Sequence, residues 1–414
     1  MNDTTSGTMP AMLSGMRVIE GSAFVAAPSG GMHLALLGAD VIRFDPIGGG
    51  IDYTRWPLAP SGTSIYWTAL NKGKRSIQLD VRSPEGRELA QALITAPGPD
   101  RGVFLTNFPA RGWLHYDALR ERRDDLIMLA ITGNPDGTTA VDYTVNAAVG
   151  YPAATGPAGG TEPVNHVLPA WDVICGQQAA LGIIAAERHR SRTGEGQLVT
   201  LALSDVAMST AANLGHVAEA QILGEQRPRL GNELYGAFGR DFVTADGERF
   251  IVIAISPKQW TSMLAATETS EAVAALADRV GADFGDEGAR FEHRQALFDL
   301  IEAWSSSHSY AHVAAALDEH GCCWGRYRDF LGMVQDDPRC STENPMFQQV
   351  DQPGVGTVLS SDTPLRFAAA PDRPLPIAPE LGAHTDEVLA EVLGMAAGEI
   401  GDLHDRGVVA GPAT

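Results

Sequence analysis

Arg17-Val-Ile-Glu20, then Pro28 with the small and apolar run Ser29 to Leu37 closed by Gly38, then Val41-Ile-Arg-Phe44: this stretch decides the fold. The first four residues read as a short buried strand. Proline suits the first turn of a helix and glycine its end, so the middle run reads as a helix. Val41 to Phe44 is the next strand. Strand, helix and strand at this spacing form a βαβ unit, the building block of a parallel sheet with helices on its faces.

The same alternation continues outward. Ser76 to Leu79 is strand-like, and Ser83-Pro84-Glu85 opens a helix with a capping hydroxyl, a proline and an acid in the first turn. That helix runs to Ile94. Gly102 to Leu105 and Leu126 to Ile131 are further strands. A helix spans Pro169 to Arg190, Gly194-Glu-Gly196 ends it, and Gln197 to Leu203 is a strand. Beyond Gly224 the pattern breaks at Pro228, Gly231 and Gly236. Residues 239–255 then read as a hairpin about Asp246-Gly247, followed by helical segments to Glu319. The chain has 414 residues, more than one core usually serves. The expected organisation is α/β: a Rossmann-like large domain with a parallel sheet from 12–223, a smaller α+β domain from 224–335, and a proline-rich extended return from 336–414 that completes the large domain and holds a helix from Thr385 to Leu393. Residues 1–11 are polar, lack the pattern of a signal peptide and read as a disordered tail. No apolar run is long enough to span a bilayer.

Apolar residues make up 44% and charged residues 20%, an ordinary globular balance. The net charge of −21 disfavours nucleic acid and anionic membranes as partners. In such a chain a basic cluster is informative. Cys175, Cys322, Cys323 and Cys340 have neither C-x-x-C spacing nor zinc-type histidine partners, so they read as reduced thiols of a cytoplasmic protein and no metal site is expected.

Four segments carry candidate chemistry. The loop Gly21 to Pro28, with Ala23, Phe24 and Val25, follows the first strand, where α/β proteins bind ligands. It lacks G-x-G-x-x-G, which argues against a dinucleotide, and it is either a plain turn or a ligand lining. Lys72, Lys74 and Arg75 lie in Asn71-Lys-Gly-Lys-Arg75 and read either as solvated surface or as a phosphate clamp. Asn107, Phe108 and Arg111 follow another strand and offer an amide, a stacking face and a cation. Leu168-Pro-Ala-Trp-Asp172 opens a helix kept slim by Gly176, Ala179, Ala180 and Gly182, which lets another backbone or a thin ligand arm come close. Asp172 is either an acid suited to the helix dipole or a reactive carboxylate.

Leu13 to Glu20, Leu37 to Arg43, Asn71 to Asp80, Asn107-Phe108, Asp172 to Ala186, Thr193 to Gln197 and Leu381 to Asp386 together make the chain resemble the family III CoA-transferases. The resemblance runs from about residue 12 to the C-terminal end. It implies a coenzyme A thioester as substrate, no tightly bound cofactor, and an interlocked homodimer with each chain threaded through its partner. It implies that Asp172 is the nucleophile and that Ala23, Phe24, Val25, Arg43, Lys72, Lys74, Arg75, Asn107, Phe108, Arg111 and Asp142 bind CoA. Within the family, Val18 to Pro28, Arg43 to Gly50, Thr106 to Trp113, Val164 to Asp172 and Leu234 to Asp241 are most similar to the branch that moves CoA between the two carboxyls of 2-methylfumarate. His166 and Arg240 lie in those stretches and are candidates for holding the free carboxylate, with a structural ion pair as the competing role for Arg240.

The departures are informative. Val25 stands where formyl-CoA-type members have Gln, and Arg229 to Tyr235 has no run of glycines. Both argue against formyl or oxalyl chemistry. Val141-Asp142 stands where related racemases have His-Asp, so a two-base proton transfer would lack a base. The competing readings are an intermolecular transferase for another dicarboxylic acid, an α-methylacyl-CoA racemase, and a regulator that binds CoA thioesters without turnover.

Overall fold

The computed structural model describes residues 11–369 and 373–412. The segment expected to be a disordered tail lies outside the described residues except for Ala11. The chain divides into two compact units. The first comprises Met1–Val149, Val167–Ala218 and Pro338–Thr414, and the second Gly150–His166 and Glu219–Asp337. Residues 150–166, expected in the large domain, group instead with the second unit. Arg229 explains this: its guanidinium bonds to the carbonyls of Ala153 at 2.6 Å and of Glu162.

The first unit opens with β1 (Arg17–Gly21), α1 (Ala26–Leu36), β2 (Asp40–Asp45), α2 (Ile65–Asn71) and β3 (Arg75–Leu79). Next come α3 (Pro84–Ile94), β4 (Val103–Thr106), α4 (Tyr116–Arg120), β5 (Ile127–Thr132) and α5 (Asp142–Ala148). Ser83 caps α3 as its sequence predicts, its hydroxyl accepting the Gly86 amide at 2.9 Å. After α6 (Tyr151–Ala154), which belongs to the second unit, the chain forms the long α7 (Ala170–Thr193) and β6 (Gln197–Ala202).

In the second unit β7 (Phe238–Val243) and β8 (Arg249–Ala254) form the expected hairpin, and β9 (Cys323–Arg326) adds a third antiparallel strand. Helices pack on this sheet around Phe238, Phe242, Trp260, Phe298 and Ile301.

The return to the first unit holds more order than its prolines suggest. β10 (Phe347–Gln352) and β11 (Gly356–Ser361) pair as an antiparallel hairpin. The helix Thr385–Leu393 has the bounds read from sequence. A second helix, Ala397–Asp405, leads to the short β12 (Val409–Ala410). The main sheet has the order β12-β3-β2-β1-β4-β5-β6, parallel throughout except for β12 against β3. This is an α/β fold with a mostly parallel central sheet. β1 lies between β2 and β4, so strand order reverses on either side of it. The crevice beyond the carboxyl ends of β1 and β4 is the favoured ligand position of such sheets. Among the described residues no helix is long and apolar enough to cross a membrane.

Candidate active site

The loop leaving β1 is fixed from three sides. Gly21 is required because a Cβ there would stand 2.5 Å from the Phe44 ring. Asn107, at the carboxyl end of β4, pairs with Ala23 as a strand would: its Oδ1 accepts the Ala23 amide at 2.9 Å and its Nδ2 donates to the Ala23 carbonyl at 2.7 Å. Phe24 has a positive φ of 67°, uncommon for a side chain of this size. Its amide donates to Asp52 Oδ2 at 3.0 Å, which holds the strained residue in place. Val25 is buried and closes the loop onto α1, while the Phe24 ring stays partly exposed.

Asp172 sits in the first turn of α7. The residue before that helix is Pro169, which supplies no capping side chain. Asp142 takes over this task from α5: its Oδ2 accepts the amides of Trp171 at 2.8 Å and Asp172 at 3.1 Å. Asp142 is itself buried, and its Oδ1 has no hydrogen-bond partner among the described residues. The Trp171 indole donates to Asn146 at 3.1 Å, so the turn is locked on a second side. Burial pushes Asp172 up to about 7, the Asp142 charge adds to this, and Arg55 works in the opposite direction. Burial and Asp172 together push the Cys175 thiol, one turn later, up to about 12, so it stays protonated.

Arg55 is exposed, and its guanidinium lies over the Phe24 ring at 5.5 Å and the Tyr66 ring at 5.3 Å. Burial raises the Tyr66 hydroxyl to about 12, Arg55 opposes this, and Asp172 and Asp52 contribute to the rise. Two charges therefore act on the Asp172 carboxylate in opposite directions, Asp142 raising it and Arg55 lowering it. Sequence reasoning missed Arg55, Tyr66 and Asp52. The available signal was position: they lie in and after the loop leaving β2, at the same end of the sheet as Asn107.

The basic run behaves differently from a phosphate clamp. Lys74 is wholly buried, and its three N–H donors meet Glu20 Oε1, the Pro28 carbonyl and Asn71 Oδ1, each at 2.8 Å. Burial brings its ammonium down to about 8, with Glu20 opposing. Arg43 is 1% exposed and pairs with Asp45 at 2.9 Å and Asp52 at 3.1 Å. Burial disfavours its charge, but Asp45, Asp52 and Glu20 hold the guanidinium above its ordinary value. Arg75 bridges Asp40 at 2.6 Å, Glu387 at 3.0 Å and Glu391 at 2.8 Å. Lys72 donates to the Ser361 carbonyl at 2.5 Å, at the end of β11. The run expected to catch phosphate thus ties β3 to α1 and to the return segment. Arg43 and Lys74 in particular form an interior ion network, because Glu20, Asp45 and Asp52 are buried beside them and need cations.

The other expected residues divide. Phe108 packs into the core edge-on to Phe44, with centroids 6.3 Å apart. Arg111 is exposed beyond β4. In the second unit Arg240 pairs with Glu302 at 2.8 Å and lies over Phe242 and Phe298, the structural ion pair that competed with a substrate role. His166 is half-buried in that same unit. Gly176 and its slim neighbours admit another backbone: a Cβ on Gly176 would stand 1.9 Å from Ser29 Oγ and 2.8 Å from the Ala26 carbonyl, so α1 and α7 touch. A cavity of about 910 Å³ in the first unit is lined by Tyr53, Trp67, Gln78, Gln352 and Glu380, without Asp172 or any Lys or Arg.

The chain is 53% identical over 405 residues to 2-methylfumaryl-CoA isomerase of Chloroflexus aurantiacus, covering 98% of this chain and 99% of that one. It is 28% identical over 410 residues to succinyl-CoA–D-citramalate CoA-transferase of the same organism, covering 97% and 98%. A crystal structure of a CAIB/BAIF family protein from Brucella suis superposes with a TM-score of 0.76 at 27% identity, covering 93% of this chain and all of that one. The family model described as CoA-transferase family III matches residues 13–385, and the chain belongs to that family.

Proposed function

We propose that this protein is an intramolecular CoA-transferase that isomerises 2-methylfumaryl-CoA to 3-methylfumaryl-CoA, with Asp172 as nucleophile. The likeness to the Chloroflexus isomerase along nearly the whole of both chains supports the substrate. The observation that carries the chemistry is Asp172 itself, a carboxylate held by a capped helix turn and poised near neutrality.

The steps follow from acyl transfer. Asp172 Oδ attacks the thioester carbonyl, the C–S bond breaks and CoA thiolate leaves, giving a mixed anhydride. The thiolate attacks Asp172 Cγ, the bridging C–O bond breaks, and an aspartyl-CoA thioester and 2-methylfumarate result. The acid presents its other carboxylate to Asp172 Cγ, expelling thiolate again and forming a second anhydride. Thiolate attack on the acyl carbonyl of that anhydride frees Asp172 and leaves CoA on the second carboxyl. No proton is gained or lost. A trans-dicarboxylate cannot close on itself to an internal anhydride, so an enzyme carboxylate must relay the acyl group. Retention of the fragments gives the high effective molarity that makes a weak nucleophile sufficient.

CoA lies along Ala23, Phe24 and Val25, beside Asn107, with Arg111 as the exposed cation for its phosphates. Lys72 and Arg75, held by the return segment and by Asp40, frame that surface at its edge, and Arg43, Lys74, Phe108 and Asp142 support it from beneath. The working molecule is a cytoplasmic interlocked homodimer. The chain's path supports this, since it leaves the first unit, builds the second and returns.

The test is 2-methylfumaryl-CoA labelled with ¹³C at one carboxyl, followed by NMR with and without unlabelled free acid. Movement of CoA to the other carboxyl without incorporation of the free acid is the expected result. Incorporation indicates an intermolecular transferase, and turnover by Asp172→Asn at the rate of the unmodified enzyme overturns the nucleophile.

A further inference from the structure

The site carries a charge problem that its nucleophile cannot solve. A dicarboxylic thioester brings one free carboxylate toward Asp172, which already has the buried Asp142 carboxylate behind it. The chain as a whole is at −21, so its long-range field also repels the substrate. A cation must therefore stand at the site, and most of the nearby cations are committed to protein acceptors. Lys74 and Arg43 are buried among carboxylates, Arg75 bridges three acids, and Lys72 is bound to the end of β11.

Arg55 is different. Its side chain is exposed, and among the described residues no carboxylate stands within ion-pair distance of it. Its backbone is fixed on both sides: the amide donates to the Asp52 carbonyl at 3.1 Å, and its own carbonyl accepts the Ser64 hydroxyl at 2.5 Å. Its guanidinium lies against two aromatic faces, Phe24 and Tyr66. Phe24 is anchored in turn by Asp52. A planar cation held this way is preorganised to receive a carboxylate through two parallel hydrogen bonds.

We propose that the Arg55 guanidinium, held against Phe24 and Tyr66 beside the loop that runs into α1 where it meets the Asp172 helix, anchors the free carboxylate of a dicarboxylic acyl thioester. This rests on Asp172 being the nucleophile. One anchor serves both halves of the isomerisation. While one carboxyl of 2-methylfumarate is at Asp172, the idle one is at Arg55, and the two exchange places when the acid turns. The subsite selects dicarboxylic over monocarboxylic acyl groups and sets the position from which the second carboxylate returns.

Arg55→Gln and Arg55→Lys are compared with the unmodified enzyme on two substrates. The first is 2-methylfumaryl-CoA, read as kcat/KM for isomerisation. The second is crotonyl-CoA, which has no free carboxylate, read as CoA release when hydroxylamine drains the acyl-aspartyl adduct. Arg55→Gln is expected to lose roughly 30-fold or more in kcat/KM on the dicarboxylic thioester, the usual consequence of removing one partner of a charge-assisted pair. Its loss on crotonyl-CoA is expected to be at least about tenfold smaller. Arg55→Lys falls between, because it keeps the charge and loses the fork. Equal losses on both thioesters, or no loss on either, overturn the proposal. If Arg55→Gln does not fold, the ratio of the two losses for Arg55→Lys decides in the same way. Asp172→Asn run in parallel separates the two ideas: its turnover of 2-methylfumaryl-CoA would remove the nucleophile, while an unselective Arg55→Gln removes only the anchor.

Discussion

Asp142 Oδ2 accepts the backbone amide of Asp172 at 3.1 Å across 30 positions of sequence, and the amide of Trp171 at 2.8 Å beside it. One carboxylate thus caps the helix that carries the other and adds a like charge next to it. The first effect fixes the geometry of Asp172, and the second favours its protonated form.

Asp142→Asn separates these two effects. It keeps an oxygen acceptor for the two amides and removes the charge. The acid limb of the kcat/KM profile, which follows ionisation of Asp172 near 7, should move to lower pH by roughly half a unit to one unit. Asp142→Ala also loses the cap and should lower stability by about 1–3 kcal/mol. An unchanged acid limb in the Asn variant would show that Asp142 serves only the helix.

The raised value of Asp172 has a consequence for stability. The folded chain holds this proton more tightly than the unfolded chain, whose ordinary value is 3.8. Between about 4 and 7 the folded state therefore binds more protons, and stability falls as pH rises through that window. Above 7 the whole penalty is present. Asp172→Asn should be inactive yet more stable than the parent at pH 8 by about 1–3 kcal/mol, with little difference at pH 4. Thermal unfolding at the two pH values checks this.

Lys74 offers a contrast between an interior cation and a ligand clamp. Lys74→Met leaves Glu20 buried without its partner and should destabilise by roughly 3–5 kcal/mol, insensitive to added salt. Lys74→Met with Glu20→Gln should recover most of that. Denaturant titrations at low and high salt measure it. A stable Lys74→Met variant that binds CoA weakly would restore the phosphate role.

Gly176→Ala tests the contact between α1 and α7. A helix interior normally gains from this change, yet here the added carbon meets Ser29 Oγ and the Ala26 carbonyl. Overpacking of this kind should cost about 1–3 kcal/mol. Gly398→Ala, where a Cβ meets nothing within 4 Å, is the control and should be neutral or stabilising.

The parallel sheet was readable because its strands are short apolar runs punctuated by Gly, Pro and capping residues, signals that act locally. The β10–β11 hairpin was not, because Phe347-Gln-Gln-Val-Asp-Gln352 and Gly356-Thr-Val-Leu-Ser-Ser361 are mixed in polarity and stand among prolines that suggest an extended chain. Asp172 stands out in sequence because Pro169 and the small residues after it mark its helix, while its proposed role comes from the family resemblance. The ion pairs of the basic run could not be read because its partners are remote: Glu387 lies 312 positions from Arg75. The setting of Arg55 is hidden for the same reason, since Phe24 and Tyr66 meet it from separate segments.

β12 closes the outer edge of β3, and Gln78 bonds to Gly411 across 333 positions. On a ribosome adding about 5–20 residues per second, β3 emerges roughly 20 s to a minute before the strand that will cover it. Until then its backbone is an open template for any neighbouring nascent chain. The slowest seam of this sheet is therefore set by translation, and crowding on a polysome is where it is most exposed.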